Sequence, residues 1–263
     1  MSRRIPALWT SIGMQAVGTV AFVIAILATG RWPRLEPSVL PWGIALAALG
    51  AASLLMLYRG LALGPIAVVS PIVAGYTAVT VGLLVVVLGE RLTTGEAAAV
   101  AATFIGVLIA STDLRSVRAL IGRPLPGVPS AFVAMIGFGC WGALMAAAVR
   151  AEDQTALILV GRLAGFSIMV LVALMLRSGV PPDRRPSTLG LVAIVGLLDT
   201  AANVLFVAGL ASGEATIVAT ASGLYPILPA LLAIVFLGER LAPNQYGGVV
   251  VLIAGLVGLG LQR

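Results

Sequence analysis

Asp199 is the only charged residue in the apolar run Thr188–Ala211, eleven residues past its start and twelve before its end. An aspartate at the centre of a lipid-crossing helix costs about 2.5–3.5 kcal/mol on insertion scales, so it must face a cavity or a partner. Asn203, four residues on, shares its helical face and could hydrogen-bond the carboxylate or a ligand. Two chemistries suit such a group: reversible proton binding, and a counter-charge for a substrate amine. A buried ion pair, for instance with Arg162, is the plain alternative. Arg162 lies inside the entrance of the run Thr155–Leu176. There its stem could snorkel to the interface, or its guanidinium could recognise a substrate carboxylate. Tyr76 and Tyr225 sit mid-run, each needing a partner for its hydroxyl, and could line a pathway or simply pack. Gln15, Thr80 and Trp141 are further lining candidates.

Much chemistry is excluded by what is missing. The chain has no His and a single Cys, which removes Ser-His-Asp and Cys-His centres and soft-metal sites. No metal or other cofactor is expected, and Cys140 reads as a packing residue. Paired intramembrane carboxylates are absent, and so is a phosphate-binding Gly-rich Lys motif, which leaves no ATP-driven step. All sixteen basic residues are Arg, scattered in ones to threes between uncharged runs. That spacing suits membrane loops and excludes a nucleic-acid stripe.

Such residues need elements to hold them, and the composition says what those elements are. The 263 residues are 60% hydrophobic and only 10% charged, against about 25% charged in a soluble domain. Too few polar groups remain to cover a water-soluble surface, so the chain reads as an all-helical, multi-pass bundle in the cytoplasmic membrane. Nine runs are long enough to cross: 7–29, 40–58, 65–88, 95–112, 128–149, 155–176, 188–211, 214–237 and 245–261. Arg3 and Arg4 before the first run could suggest a secretory signal. The run is too long for one and reads as a retained helix.

The chain repeats itself. Gly89-Glu90-Arg91-Leu92 recurs 149 residues later as Gly238-Glu239-Arg240-Leu241, and the same offset pairs Gly60 with Gly209, Tyr76 with Tyr225 and Gly106 with Gly255. Residues 1–114 thus lie on 150–263, leaving 115–149 as a linker and one unmatched helix. The domain reading is a first repeat over 1–114 and a second over 115–263, with linker 115–127 and extra helix 128–149. Odd-numbered spans match even-numbered ones, so equivalent helices must cross in opposite senses. Inverted-topology repeats of this kind are typical of secondary transporters.

These residues carry a family resemblance. From Ala62-Leu63-Gly64 through Ser70-Pro71 to Leu88-Gly89-Glu90-Arg91-Leu92, and again from Ala211 through Tyr225-Pro226 to Leu237-Gly238-Glu239-Arg240-Leu241, the chain resembles the EamA-like branch of the drug/metabolite transporter superfamily. The resemblance implies two five-helix halves moving small polar or amphipathic metabolites. Against that pattern the first half has four helices, lacking the first of the repeat, through a late start, a truncation or a true nine-helix form. Alternate loops hold ten and six arginines, which favours a cytoplasmic N-terminus, whereas the family pattern with its first helix removed implies the reverse.

Both Gly-Glu-Arg copies close a helix and read as structural turn motifs, with Thr93 and Glu96 at capping-box spacing and Pro243 opening a helix. Pro65, Pro71, Pro226 and Pro229 should kink or interrupt the third and eighth runs, as hinges or as tolerated bends. The expected function is a secondary transporter of a small metabolite working by alternating access, with protons as a candidate coupling ion and export as a candidate direction. The partners are then the bilayer and the substrate. The alternatives are a non-transporting scaffold or assembly subunit and, less favoured, a membrane enzyme on lipid substrates.

Overall fold

The computed structural model describes residues 7–112, 114, 117, 126–176, 186–213, 215–223 and 242–261. Among them are ten helices and no strand: α1 Ala7–Thr29, α2 Val39–Leu63, α3 Ile66–Ala74, α4 Tyr76–Val86, α5 Thr94–Ser111, α6 Gly127–Ala151, α7 Gln154–Met175, α8 Pro186–Ala211, α9 Ala215–Ser222 and α10 Pro243–Leu261. Seven stretches are long and apolar enough to cross a bilayer, α3 and α4 counting together as one. The chain is a multi-pass membrane protein.

Local chemistry sets the helix ends. Thr93 and Glu96 form a reciprocal capping box at the start of α5. The carboxylate of Asp153 accepts from the Ala156 N–H at 2.9 Å and so caps α7. Gly30, Gly89 and Gly213 take positive φ just past α1, α4 and α8. Inside the helices, Thr19, Thr103, Thr200 and Thr220 each donate their hydroxyl to the carbonyl four residues back. That satisfies a polar group where lipid supplies no partner.

The third run divides into α3 and α4 at Gly75, at neither of its prolines. Pro65 is the N-cap of α3 and Pro71 lies within it. The helix ends at Gly75, whose N–H bonds Ile72 O at 3.1 Å, while the Ala78 N–H bonds Gly75 O at 3.1 Å. Pro71 removes one backbone bond, and the helix yields four residues later, where a glycine fits close against the Met135 sulfur. Pro226 and Pro229 lie outside the described residues.

Two compact units emerge. The first, Met1–Ala51 with Leu144–Gly213, is built on α1, α7 and α8. Glycines bring these helices together: a Cβ added at Gly13 would lie 2.6 Å from a methyl of Val192, and one at Gly196 2.9 Å from Met14 O. The second unit, Ala52–Ala143 with Glu214–Arg263, holds α3, α4, α5, α9, α10 and most of α6. Here Val69 and Val73 of α3 pack on Ala131 and Ala134 of α6. In the same unit α5 and α10 run antiparallel in close contact, Ala74 and Val107 meeting Leu252. Under the offset of 149, the first unit contains spans one and six with parts of two and all of seven, so equivalent helices fall together.

Candidate functional site

Three helix centres meet in the first unit. The midpoint of α1 is Gly18, that of α7 falls between Ala164 and Gly165, and that of α8 between Leu198 and Asp199. Arg162 therefore lies two to three residues from the middle of its helix, eight residues or about 12 Å from the nearer end. It turns inward and is 5% exposed, so the snorkelling alternative fails.

Arg162 Nη2 donates to Asp199 Oδ2 at 3.1 Å, and Nη1 donates to Gln15 Oε1 at 3.3 Å. Its buried Nε has no hydrogen-bond partner among the described residues. Asp199 is the more open member, its side chain 38% exposed against 6% for Arg162. On α1, α7 and α8 these two residues are the only charged side chains. Asn203 does not reach the carboxylate: its Nδ2 donates to the backbone carbonyl of Asp199 at 2.9 Å.

Sequence reasoning missed what seats this cluster. A Cβ at Gly18 would collide with Arg162 Nη1 and with Thr200 Oγ1, and would lie 3.2 Å from the guanidinium carbon. One at Gly165 would lie 2.7 Å from Gln15 Nε2. Both glycines keep space for polar groups of a neighbouring helix. Nothing in the sequence distinguishes them from the other glycines among a total of 31.

The other candidates fall in the second unit. The Tyr76 hydroxyl meets the carbonyl and Oγ of Ser222, each at 3.2 Å, and its ring stands edge-on to Phe138. The Thr80 hydroxyl donates to Tyr76 O and Gly139 O, both at 3.1 Å. Trp141 is half-buried on α6. A mainly apolar cavity of about 200 Å³ lies between α4 and α5, with Thr77, Thr103 and Thr220 on its wall. Tyr225 lies outside the described residues.

In the first turn motif the backbone makes the turn. Gly89 takes φ +69°, and the Glu90 N–H bonds Leu84 O at 3.1 Å. The Glu90 carboxylate accepts a hydrogen bond from Thr216 Oγ1, tying the end of α4 to the first turn of α9. Arg91 follows in the loop before the Thr93 cap. Gly238, Glu239 and Arg240 lie outside the described residues. Among the described residues, no group of three or more His, Cys, Asp or Glu is placed to hold a metal.

The model of the EamA-like transporter family matches residues 1–112 and 125–261. A search of curated proteins gives no match. Solved structures do match: one, titled "Crystal structure of protein", is 18% identical, with a TM-score of 0.77 over 98% of this chain and 90% of that one. At that identity the likeness is one of fold.

Proposed function

Because the chain belongs to the EamA-like transporter family, a membrane transporter of the drug/metabolite type, we propose that it is a secondary transporter of the cytoplasmic membrane, moving a small polar or amphipathic metabolite by alternating access coupled to protons at Asp199. The observation that carries this reading is the Arg162–Asp199 pair at the centre of two crossing helices. A buried ion pair is weak as a source of stability, since desolvation can exceed the Coulombic gain and an apolar replacement is often as stable. Charge held at mid-membrane depth is a marker of substrate or ion pathways.

Two further features support the reading. Contacts between α5 and α10 are reciprocal under the repeat offset: a Cβ at Gly106 would lie 2.6 Å from Leu252 Cα, and one at its equivalent Gly255 2.6 Å from Thr103 N, Thr103 being the equivalent of Leu252. An antiparallel pair with that reciprocity is what an inverted repeat puts across its two-fold axis. The third span changes from i→i+4 to i→i+3 bonding at Gly75, the kind of local irregularity that transporter helices carry near their sites.

The pair suggests how coupling works. Asp199 would alternate between its contact with Arg162 and release from it, and the helix packing around the pair would shift with that exchange. Uptake into proteoliposomes under an imposed pH gradient tests the proposal. Asp199→Asn should abolish gradient-driven flux while the protein still folds, and unchanged coupled flux would overturn it. Absence of flux for every metabolite class in the wild-type protein would favour the scaffold alternative.

A further inference from the structure

Resting on that transport reading, we propose that Arg162 recognises a carboxylate on the transported molecule, and that Asp199 is the resident stand-in for it. The argument begins with donors and acceptors. A guanidinium offers five N–H groups in a planar fork and prefers to grip a carboxylate through two parallel bonds. Asp199 gives it one, at 3.1 Å, Gln15 gives a second, at 3.3 Å, and the buried Nε has no partner among the described residues. The cluster is short of acceptors. An incoming amine would bring more donors and set a second cation beside a buried one. An incoming carboxylate supplies what is missing.

Access points the same way. Arg162 is almost fully enclosed and Asp199 is the open side of the pair. A ligand therefore reaches the guanidinium by taking the place of Asp199. The single contact between them is the weaker form of the Arg–carboxylate pair, so a two-point grip by the ligand can displace it. The other walls are fixed: Gly18 leaves room for the guanidinium, and Gln15 Oε1 holds Nη1 in place. Once displaced, Asp199 is the group free to carry the coupled proton, which links substrate binding to the step proposed above.

The test uses purified full-length protein and two matched probe pairs, benzoate with benzamide and acetate with acetamide, at constant ionic strength. Thermal stability and equilibrium binding are both read. In the wild type the carboxylates should raise the melting temperature and the amides should not. Asp199→Asn should bind benzoate about tenfold more tightly, because the internal competitor is gone. The double variant Arg162→Gln with Asp199→Asn leaves a neutral pair and should lose the response while still folding. Equal effects of acid and amide in the wild type and in Asp199→Asn would overturn the proposal, and so would a carboxylate response that survives in the double variant. Carboxylate binding with no flux of any kind would remove the transport reading alone. Coupled flux of neutral or cationic molecules, without carboxylate binding, would remove this site alone.

Discussion

Gly106 and Gly255, 149 residues apart, each press against the other's helix at equivalent places, one on Leu252 and one on Thr103. The register is antiparallel, since Ala110 meets Gly248 while Thr103 meets Gly255. An antiparallel crossing between equivalent helices requires the two copies to be inverted relative to one another. In a Cys140→Ala background, Leu92→Cys and Leu241→Cys should therefore react with an impermeant maleimide from opposite faces of the membrane. Labelling from the same face would contradict the inverted repeat.

The same contact predicts a stability effect. Gly106→Ala forces a methyl into the backbone of α10 and should cost about 1–3 kcal/mol, seen as a lower melting temperature. Gly82→Ala, with open space around the added atom, should leave the melting temperature nearly unchanged.

Gly18 separates a positioning role from a packing one. Gly18→Ala drives a methyl into the guanidinium of Arg162 and the hydroxyl of Thr200. It should lower transport about tenfold or more, as displaced catalytic and binding groups do. Gly161→Ala, one residue from Arg162 but facing open space, should retain most of the flux. Equal loss in both variants would mean that the helix, and not the seat of Arg162, is being measured.

The ion pair should behave differently in single and double variants. Arg162→Met alone leaves Asp199 unpaired and should lower the melting temperature, by less than the about 3–5 kcal/mol of a fully buried charge because the carboxylate is partly open. Arg162→Met with Asp199→Leu should recover most of that loss, yet remain inactive in transport. Recovery of stability together with activity would make the pair purely structural.

Most of the helical layout was legible in the sequence, and the reason is simple. Apolar runs bounded by charges and turn residues fix where lipid-crossing helices begin and end, and α1 occupies the expected 7–29. The division of the third run at Gly75 was not legible, since its prolines drew attention to other positions. A glycine in an apolar run carries no local signal, and its role depends on the Met135 side chain opposite. Asp199 stood out because lipid makes a lone charge expensive, and its partner could be named because so few charges were available. The depth of Arg162 was misjudged, and the bond of Asn203 to a backbone carbonyl was not foreseen. The enclosure of Arg162 depends on which helix faces are turned together, for which Gly18 leaves the room, whereas the Asn203 bond is local, made to the carbonyl four residues back in its own helix.

The bond between Thr216 and Glu90 offers a further check on the first turn motif. Thr216→Val removes one hydrogen bond from a partly buried carboxylate and should cost about 0.5–1.5 kcal/mol, read as a lower melting temperature. No change would mean that this bond does not hold the end of α4.

The most direct measurement is substrate uptake into proteoliposomes with and without an imposed pH gradient, comparing wild type with Asp199→Asn. The wild type should accumulate substrate against its gradient when protons are supplied. The variant should lose accumulation completely and retain at most exchange of substrate already inside. Accumulation by Asp199→Asn at the wild-type rate would contradict the central role of the Arg162–Asp199 pair.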